Sequence, residues 1–397
     1  MPASTTEVHE SRKNRRRPPS KLAWVFAAIA AIVAPIACES SPDDRARSAT
    51  ISGDSVIMSE PEGDGLYIPL RSQARLGDGS LLADVGNAVD IFDPSGRFAL
   101  RVGRSGSGPG EFQRISTIIH LPGDSLFAVV DGRRARILLF HALSGDLRRE
   151  ILITPFFPGQ QWRWYGDTVV MPTKLSPKPF VSWVPASDSL WAWGETPGIY
   201  SRSISAYSQG GEPSLARRND GWLAVFPADG RLYYLEADGA LKSAYELPVH
   251  RRRGVPANLA DSVDAIFASG VFRYAASLVF AIWELSNGDY AIVHADTAPD
   301  VRLESVPGSG GSANVTFLNT RYWVTFVAHD LTRACPDEPV PFQPENLLVP
   351  FFAADSVFFL DRRAASDTTA EAVLHRFRME SASCRWVAMT PAPVDRR

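Results

Sequence analysis

The chain lacks most of the side-chain patterns that announce chemistry. Its seven histidines (His9, His120, His141, His250, His294, His329 and His375) form no HxH, HxxxH or HExxH pair, the spacings that set two imidazoles on one face for zinc. No Gly-x-Ser-x-Gly elbow occurs, which removes the hydrolases that expose a serine nucleophile on that turn. The glycine-rich run at 103–110 has no Lys-Ser or Lys-Thr and no helical stretch after it, so it is not a phosphate-binding loop of that type. Positive charge is scarce once residues 1–37 are set aside: 35 basic residues face 42 acidic ones. That is the wrong field for a phosphate backbone, and nucleic acid is not expected as a partner. Cysteine is limited to Cys38, Cys335 and Cys384. No residue is assigned a catalytic role and no cofactor is expected. A divalent metal held by single residues from distant segments stays open, because spacing does not test it.

What is present starts with an address. Six basic residues between Arg12 and Lys21 precede a 16-residue uncharged apolar run, LAWVFAAIAAIVAPIA, at 22–37. A bilayer span needs ~20 residues, whereas a basic stretch, a short apolar core and a small residue make an export signal. Cys38 directly after Ile36-Ala37 resembles the lipobox of bacterial lipoproteins, departing from it at Pro35, where leucine is usual. That resemblance implies cleavage before Cys38, lipid chains on Cys38, and a membrane anchor worth ~0.8 kcal/mol per buried CH₂. A plain signal peptide or an uncleaved anchor is the other reading. Glu39 is not the aspartate that resembles an inner-membrane retention signal, so the expected place is the periplasmic side of an outer membrane. Residues 38–48 read as a polar tether, and residues 49–390 as the folded domain.

Within that domain a turn-plus-strand phrase recurs. It reads Asp78-Gly-Ser-Leu-Leu-Ala83, Gly123-Asp-Ser-Leu-Phe-Ala-Val-Val130, Gly166-Asp-Thr-Val-Val-Met171, Gly288-Asp-Tyr-Ala-Ile-Val293 and Asp355-Ser-Val-Phe-Phe-Leu360, with further copies at Gly53, Asp188 and Asp229. Asp and Gly tolerate the left-handed angles of tight turns, and Val, Ile, Phe and Tyr favour pleated strands. A second kind of turn appears in Phe92-Asp-Pro-Ser-Gly96, Phe140-His-Ala-Leu-Ser-Gly145 and Leu235-Glu-Ala-Asp-Gly239, with Val184-Pro-Ala-Ser-Asp188 about midway between the last two. Gly96 and Gly145 are 49 residues apart, a period that suits a four-stranded propeller blade. Runs such as Leu126-Phe-Ala-Val-Val130 and Ile137-Leu-Leu-Phe140 are apolar on both faces. Strands sandwiched between like neighbours read that way, whereas a half-solvated sheet alternates. The reading is all-β: a β-propeller of four-stranded antiparallel blades, six if one segment is inserted and otherwise seven. Residues 256–267 place Leu259, Val263, Ile266 and Phe267 at helical spacing after Pro256, which predicts one short inserted helix and favours six. Closure is expected between Ile51–Met58 and the strands around 375–379 and 384–388.

The stretch 80–153 carries a family resemblance. Ser80-Leu-Leu-Ala-Asp84, Asn87-Ala-Val-Asp-Ile-Phe-Asp93 and the joint Val102-Gly-Arg-Ser-Gly-Ser-Gly-Pro-Gly-Glu-Phe112 look like the repeat unit and inter-blade crossing of NHL-type propellers. The second copy departs, with Asp131-Gly-Arg-Arg-Ala-Arg136 replacing the Asn-containing turn. By that resemblance 106–112 crosses from one blade's outer strand to the next blade's inner strand, and Phe112 plugs the interface.

Two classes of function stay open. The leading one is a lipid-tethered scaffold presenting an end face to an envelope protein, peptide or glycan. Candidate contacts are Arg133, Arg134 and Arg136, which stand together in one turn and suit an anionic ligand, and the aromatic stretch Trp162-Arg-Trp-Tyr165. Residues 251–253, three arginines, suit anionic lipid headgroups. The alternative is an enzyme, lactonase- or lyase-like, with a channel metal, and Asp84, Asn87 and Glu284 are its candidate channel residues. Cys335 and Cys384, 49 apart, are open to a disulfide between neighbouring blades outside the cytoplasm, or to two free thiols.

Overall fold

The computed structural model describes residues 51–58, 72–121, 123, 125–153, 157–159, 162–174, 178–198, 212–226, 230–251, 277–296, 301–305, 313–317, 320–344, 348–364 and 370–394. The signal segment, the tether with Cys38 and the helix expected over 256–267 lie outside them.

The described chain is a six-bladed β-propeller built of antiparallel sheets. Blade 1 runs from inner to outer strand as Gln73–Arg75, Leu81–Asp84, Val89–Phe92 and Phe98–Val102. Blade 2 is Ile115–His120, Leu126–Asp131, Arg136–His141 and Leu147–Leu152. In blade 3 the inner edge is split into Phe157–Pro158 and Arg163–Tyr165, both paired with Thr168–Lys174, ahead of Phe180–Val184 and Ser189–Trp193. Blade 4 is Ser214–Arg218, Gly221–Val225, Arg231–Leu235 and Leu241–Glu246. Blade 5 is Leu278–Glu284, Tyr290–Asp296, Arg321–Val327 and Arg333–Pro339, with a separate hairpin, Val301–Ser305 against Ala313–Phe317, inserted after its second strand. Blade 6 is Phe351–Ala353, Ser356–Ala364 and Ala370–Met379, completed on its outside by Ile51–Met58.

That last pairing is the expected closure, with Ile51 opposite Met379 and Ser55 opposite His375. The other half of the expectation goes elsewhere. Ile51–Met58 already occupies the outer edge of blade 6, so the chain after Met379 turns back to edges that are still open. Val387–Ala388 pairs with Ala334 and Arg333 of blade 5, and Thr390–Ala392 pairs with the outer strand of blade 4.

The core explains why the strands are apolar on both sides. Six buried clusters sit between successive blades. Side chains alternate between the faces of a strand, so Phe127 and Val129 of blade 2 join the cluster shared with blade 1, while Ala128 and Val130 join the one shared with blade 3. The turns found by period close the third and fourth strands of blades 1 to 4. Gly96, Gly145, Asp188 and Gly239 all have positive φ there. In blades 1, 2 and 4 the register shifts by a bulge at the same place, Ile91/Phe92, Leu139/Phe140 and Tyr234/Leu235. A left-handed residue after a bulge turns the hairpin without splaying its strands.

The joint behaves as its resemblance implied. Arg104–Ser105 runs parallel to Glu111–Phe112, and Phe112 is 0% exposed between Val102 of blade 1 and Phe140 of blade 2. Gly103 has φ +74, and a Cβ there would lie 2.2 Å from the Phe112 ring.

Candidate functional site

The inner strands surround a cavity of about 930 Å³. Each blade sends it one residue from an equivalent place, three positions before the Asp, Asn or Gly of the turn that ends the inner strand. These are Arg75, His120, Arg163, Arg217, Glu284 and Phe352, and all six line the cavity. Arg376 joins them from the third strand of blade 6.

Four arginines therefore face two carboxylates, Asp78 and Glu284, among the described lining residues. Asp78 is committed to its own turn, accepting from the Ser80 amide at 2.8 Å and the Ser80 hydroxyl at 3.0 Å. Arg163 donates to the Leu215 carbonyl at 2.8 Å and to Ser214 Oγ at 3.3 Å, and its guanidinium lies 4.7 Å from the centre of the Trp283 ring. No described carboxylate forms an ion pair with it. Desolvation pulls its pKa below the ordinary arginine value. Arg217 stacks 4.5 Å over Trp222, again without an ion pair to a described carboxylate, and Arg75 lies 5.0 Å over Phe358. Aromatic faces brace these cations, Arg75 Nε also donates to the Gly79 carbonyl at 3.2 Å, and the planar fork of a guanidinium suits a carboxylate, sulfate or phosphate. Glu284 is exposed to the cavity, and desolvation raises its carboxyl pKa.

The aromatic stretch lies here too. Trp162 is buried, with Nε1 donating to Gly159 O at 2.8 Å, and belongs to the core between blades 2 and 3. Tyr165 donates to Leu215 O at 3.0 Å and meets Trp222 edge-on. Burial raises the Tyr165 phenol pKa, so at neutral pH it is a donor and not a base. Both side chains and Trp164 line the cavity, joining core packing and cavity wall in one segment.

The three arginines of the blade 2 turn separate. Arg136 is 2% exposed: it pairs with Glu150 at 2.6 Å and Asp131 at 3.5 Å and donates to the Glu111 carbonyl at 2.5 Å. Arg134 donates to the Ser107 carbonyl of the glycine-rich joint. Arg133 alone is exposed. Basic residues in a turn look solvated on paper; two of these three pin the crossing between blades 1 and 2.

Asp84 and Asn87 sit in the turn joining the second and third strands of blade 1. Asp84 is buried and accepts from the Gly86 amide at 2.8 Å, and Asn87 meets Ser105 Oγ at 3.2 Å. Neither lines the cavity with Glu284. Asp131 serves Arg136 and three backbone amides, and Asp361 lies 3.9 Å from His375. Arg251 is held by its amide to Asp337 at 3.0 Å with its guanidinium 5.3 Å from the Trp323 ring centre; Arg252 and Arg253 lie outside the described residues.

Among the described residues one group of three His, Cys, Asp or Glu side chains converges within metal-bonding reach. It is Cys335, Glu338 and Cys384, away from the cavity, with the donor atoms within 4.8 Å of one another. The two cysteines are free thiols. They lie on the outer strand of blade 5 and on the returning tail, an arrangement that spacing by one repeat does not suggest.

The comparisons agree with the architecture. The DUF5128 family, described as a six-bladed β-propeller, matches residues 81–165. Among solved structures, a Bacteroides fragilis protein provisionally named as exported aligns with a TM-score of 0.54 at 12% identity, covering 84% of this chain and 96% of its own. A member of the DUF4221 family from Bacteroides vulgatus aligns with a TM-score of 0.54 at 9% identity, covering 84% and 99%. At these identities the likeness shows the fold alone. No curated protein matches the sequence.

Proposed function

We propose that this protein is an exported, lipid-tethered propeller that binds an anionic ligand in its central cavity, with an acidic glycan as the class that fits best. The observation that carries this reading is the ring of equivalent positions, where Arg75, Arg163 and Arg217 outnumber Glu284 and are braced by aromatic faces. Charged sugars need both parts: donors for their carboxylates and flat apolar walls for their rings. The resemblance to NHL-type repeats and to a lipobox at Cys38 supplies the scaffold and the tether in this reading. An enzyme built on a channel metal gains less support, because the carboxylates it would use point to separate tasks: Asp84 to its turn, Asp131 to Arg136, Glu284 alone to the cavity.

Titration of a galacturonate hexamer, followed by tryptophan fluorescence, tests the ligand class. The acidic oligomer should bind and a neutral galactose oligomer should not, with affinity falling as salt rises. Arg217→Gln should weaken binding and Glu284→Gln should strengthen it. The raised pKa of Glu284 gives the same sign on titration: below its folded pKa the carboxyl is neutral and the cavity more positive, so binding tightens on mild acidification while the sugar stays charged. Equal binding of both oligomers, or same-sign effects of the two variants, would reject the anion reading. Cys38→Ala should release the protein from membranes; unchanged association would reject lipidation.

A further inference from the structure

We infer that Cys335, Glu338 and Cys384 form a binding site for a borderline-soft divalent cation of the zinc type, which fastens the returning C-terminal tail to blade 5.

The donor set is built for such an ion. Cys335 is 0% exposed in the outer strand of blade 5 and Glu338, three residues on, is 5% exposed. Between them Asp337 has φ 55, a left-handed step that brings both side chains to one side of the strand. Cys335 donates its thiol hydrogen to Glu338 Oε1 at 3.3 Å. Zinc–sulfur and zinc–oxygen bonds of about 2.3 and 2.0 Å at a tetrahedral angle place sulfur and oxygen about 3.5 Å apart, so little movement is required. Cys384 arrives from the tail, its amide donating to Ser381 O at 3.2 Å. Ser381 is itself fixed to Asp289 at 2.6 Å and to Asn287 at 2.8 Å. The third donor is therefore held by blade 5 before any ion arrives.

On binding a divalent cation two thiols lose two protons to solvent, and two thiolates and the Glu338 carboxylate share one M²⁺, leaving room for a fourth ligand. Thiolate ligands select zinc over magnesium or calcium. The bond would tie segments 49 residues apart, just before the tail pairs with blades 5 and 4.

The purified full chain, prepared without chelator, is tested by native mass spectrometry and by zinc competition with a chromophoric chelator. One zinc per chain is expected, with a sub-micromolar Kd. Cys384→Ser should abolish it and Glu338→Gln should weaken it at least tenfold. Zinc should protect both thiols from alkylation until a chelator is added, and should slow proteolysis of the tail. Cys384 is only partly buried, so its serine variant should fold, and a circular-dichroism melt checks this. A chain lighter by two hydrogens, with thiols that react only after a reductant, would establish a disulfide and overturn the proposal. Zinc that is sub-stoichiometric, or unaffected by both variants, would overturn it as well.

Discussion

Replacing Arg136 by alanine separates a structural role from a ligand-facing one. The guanidinium is buried at the joint between blades 1 and 2, against Asp131, Glu150 and the Glu111 carbonyl. Asp131 is 0% exposed. Removing one member of a buried ion pair costs about 3–5 kcal/mol, chiefly because the other charge is left uncompensated. Asp131 would keep the amides of Gln113, Arg114 and Arg133 at 3.1–3.3 Å, which places the expected cost near the low end, about 3 kcal/mol. A body of about 340 residues unfolding with roughly 2.1 cal/mol/K per residue has an entropy of about 0.7 kcal/mol/K, so the melting temperature should fall by about 4 °C. Arg133→Ala, at an exposed position of the same turn, should stay within about 0.5 kcal/mol of the parent. Lysine at 136 should not rescue, since a single ammonium cannot reproduce the planar fork. Differential scanning calorimetry with matched denaturant titrations is the assay. A loss below about 1 kcal/mol for Arg136→Ala, or an equal loss for Arg133→Ala, would refute the assignment.

Gly103→Ala combines an unfavourable φ of +74 with a Cβ 2.9 Å from the Gly110 carbonyl oxygen as well as against the Phe112 ring; a loss of about 2–4 kcal/mol in a denaturant titration is expected. Asp337 is pushed up by burial but pulled further down by the His294 ring 3.5 Å away and by hydrogen bonds from the amides of His250 and Arg251, so its pKa ends below the usual carboxylate value. A depressed folded pKa gives stability that is present above about pH 4 and is lost as pH falls through the folded value; Asp337→Asn should flatten that acid limb in melts recorded across pH, and an unchanged limb would contradict the linkage.

How much of this was readable in the chain depends on which forces act locally. The two-faced apolar runs and the left-handed corners at Gly96, Gly145 and Gly239 follow from strand alternation and backbone sterics, so they are written into short windows. The fate of Arg136 is not, since it depends on a partner strand and on a carbonyl 25 residues away. The tail's pairing with blades 5 and 4 depends on which edges remain open after ring closure, a property of the whole sheet set. The extra hairpin at 301–317 breaks the period inside blade 5 and hides the last copies of the repeat.

The cavity shows the same division most clearly. Arg75, Arg163 and Arg217 stand 54 to 142 residues apart in sequence, and none belongs to a recognisable motif. Each has the same address within its repeat, three positions before the turn that ends the inner strand, and the ring closure gives that address a common centre. The turn phrase constrains the Asp or Gly that reverses the chain and the apolar residues that follow it; it places no demand on the residue three positions earlier. That residue is free to differ from blade to blade, as arginine, histidine, glutamate and phenylalanine do here. Charges from separate blades then add in one concave space, which focuses their field more than an open surface does. In a ring of this kind the apolar clusters between blades determine that the chain closes, and on the proposed reading six side chains at one address in each repeat determine what the cavity binds.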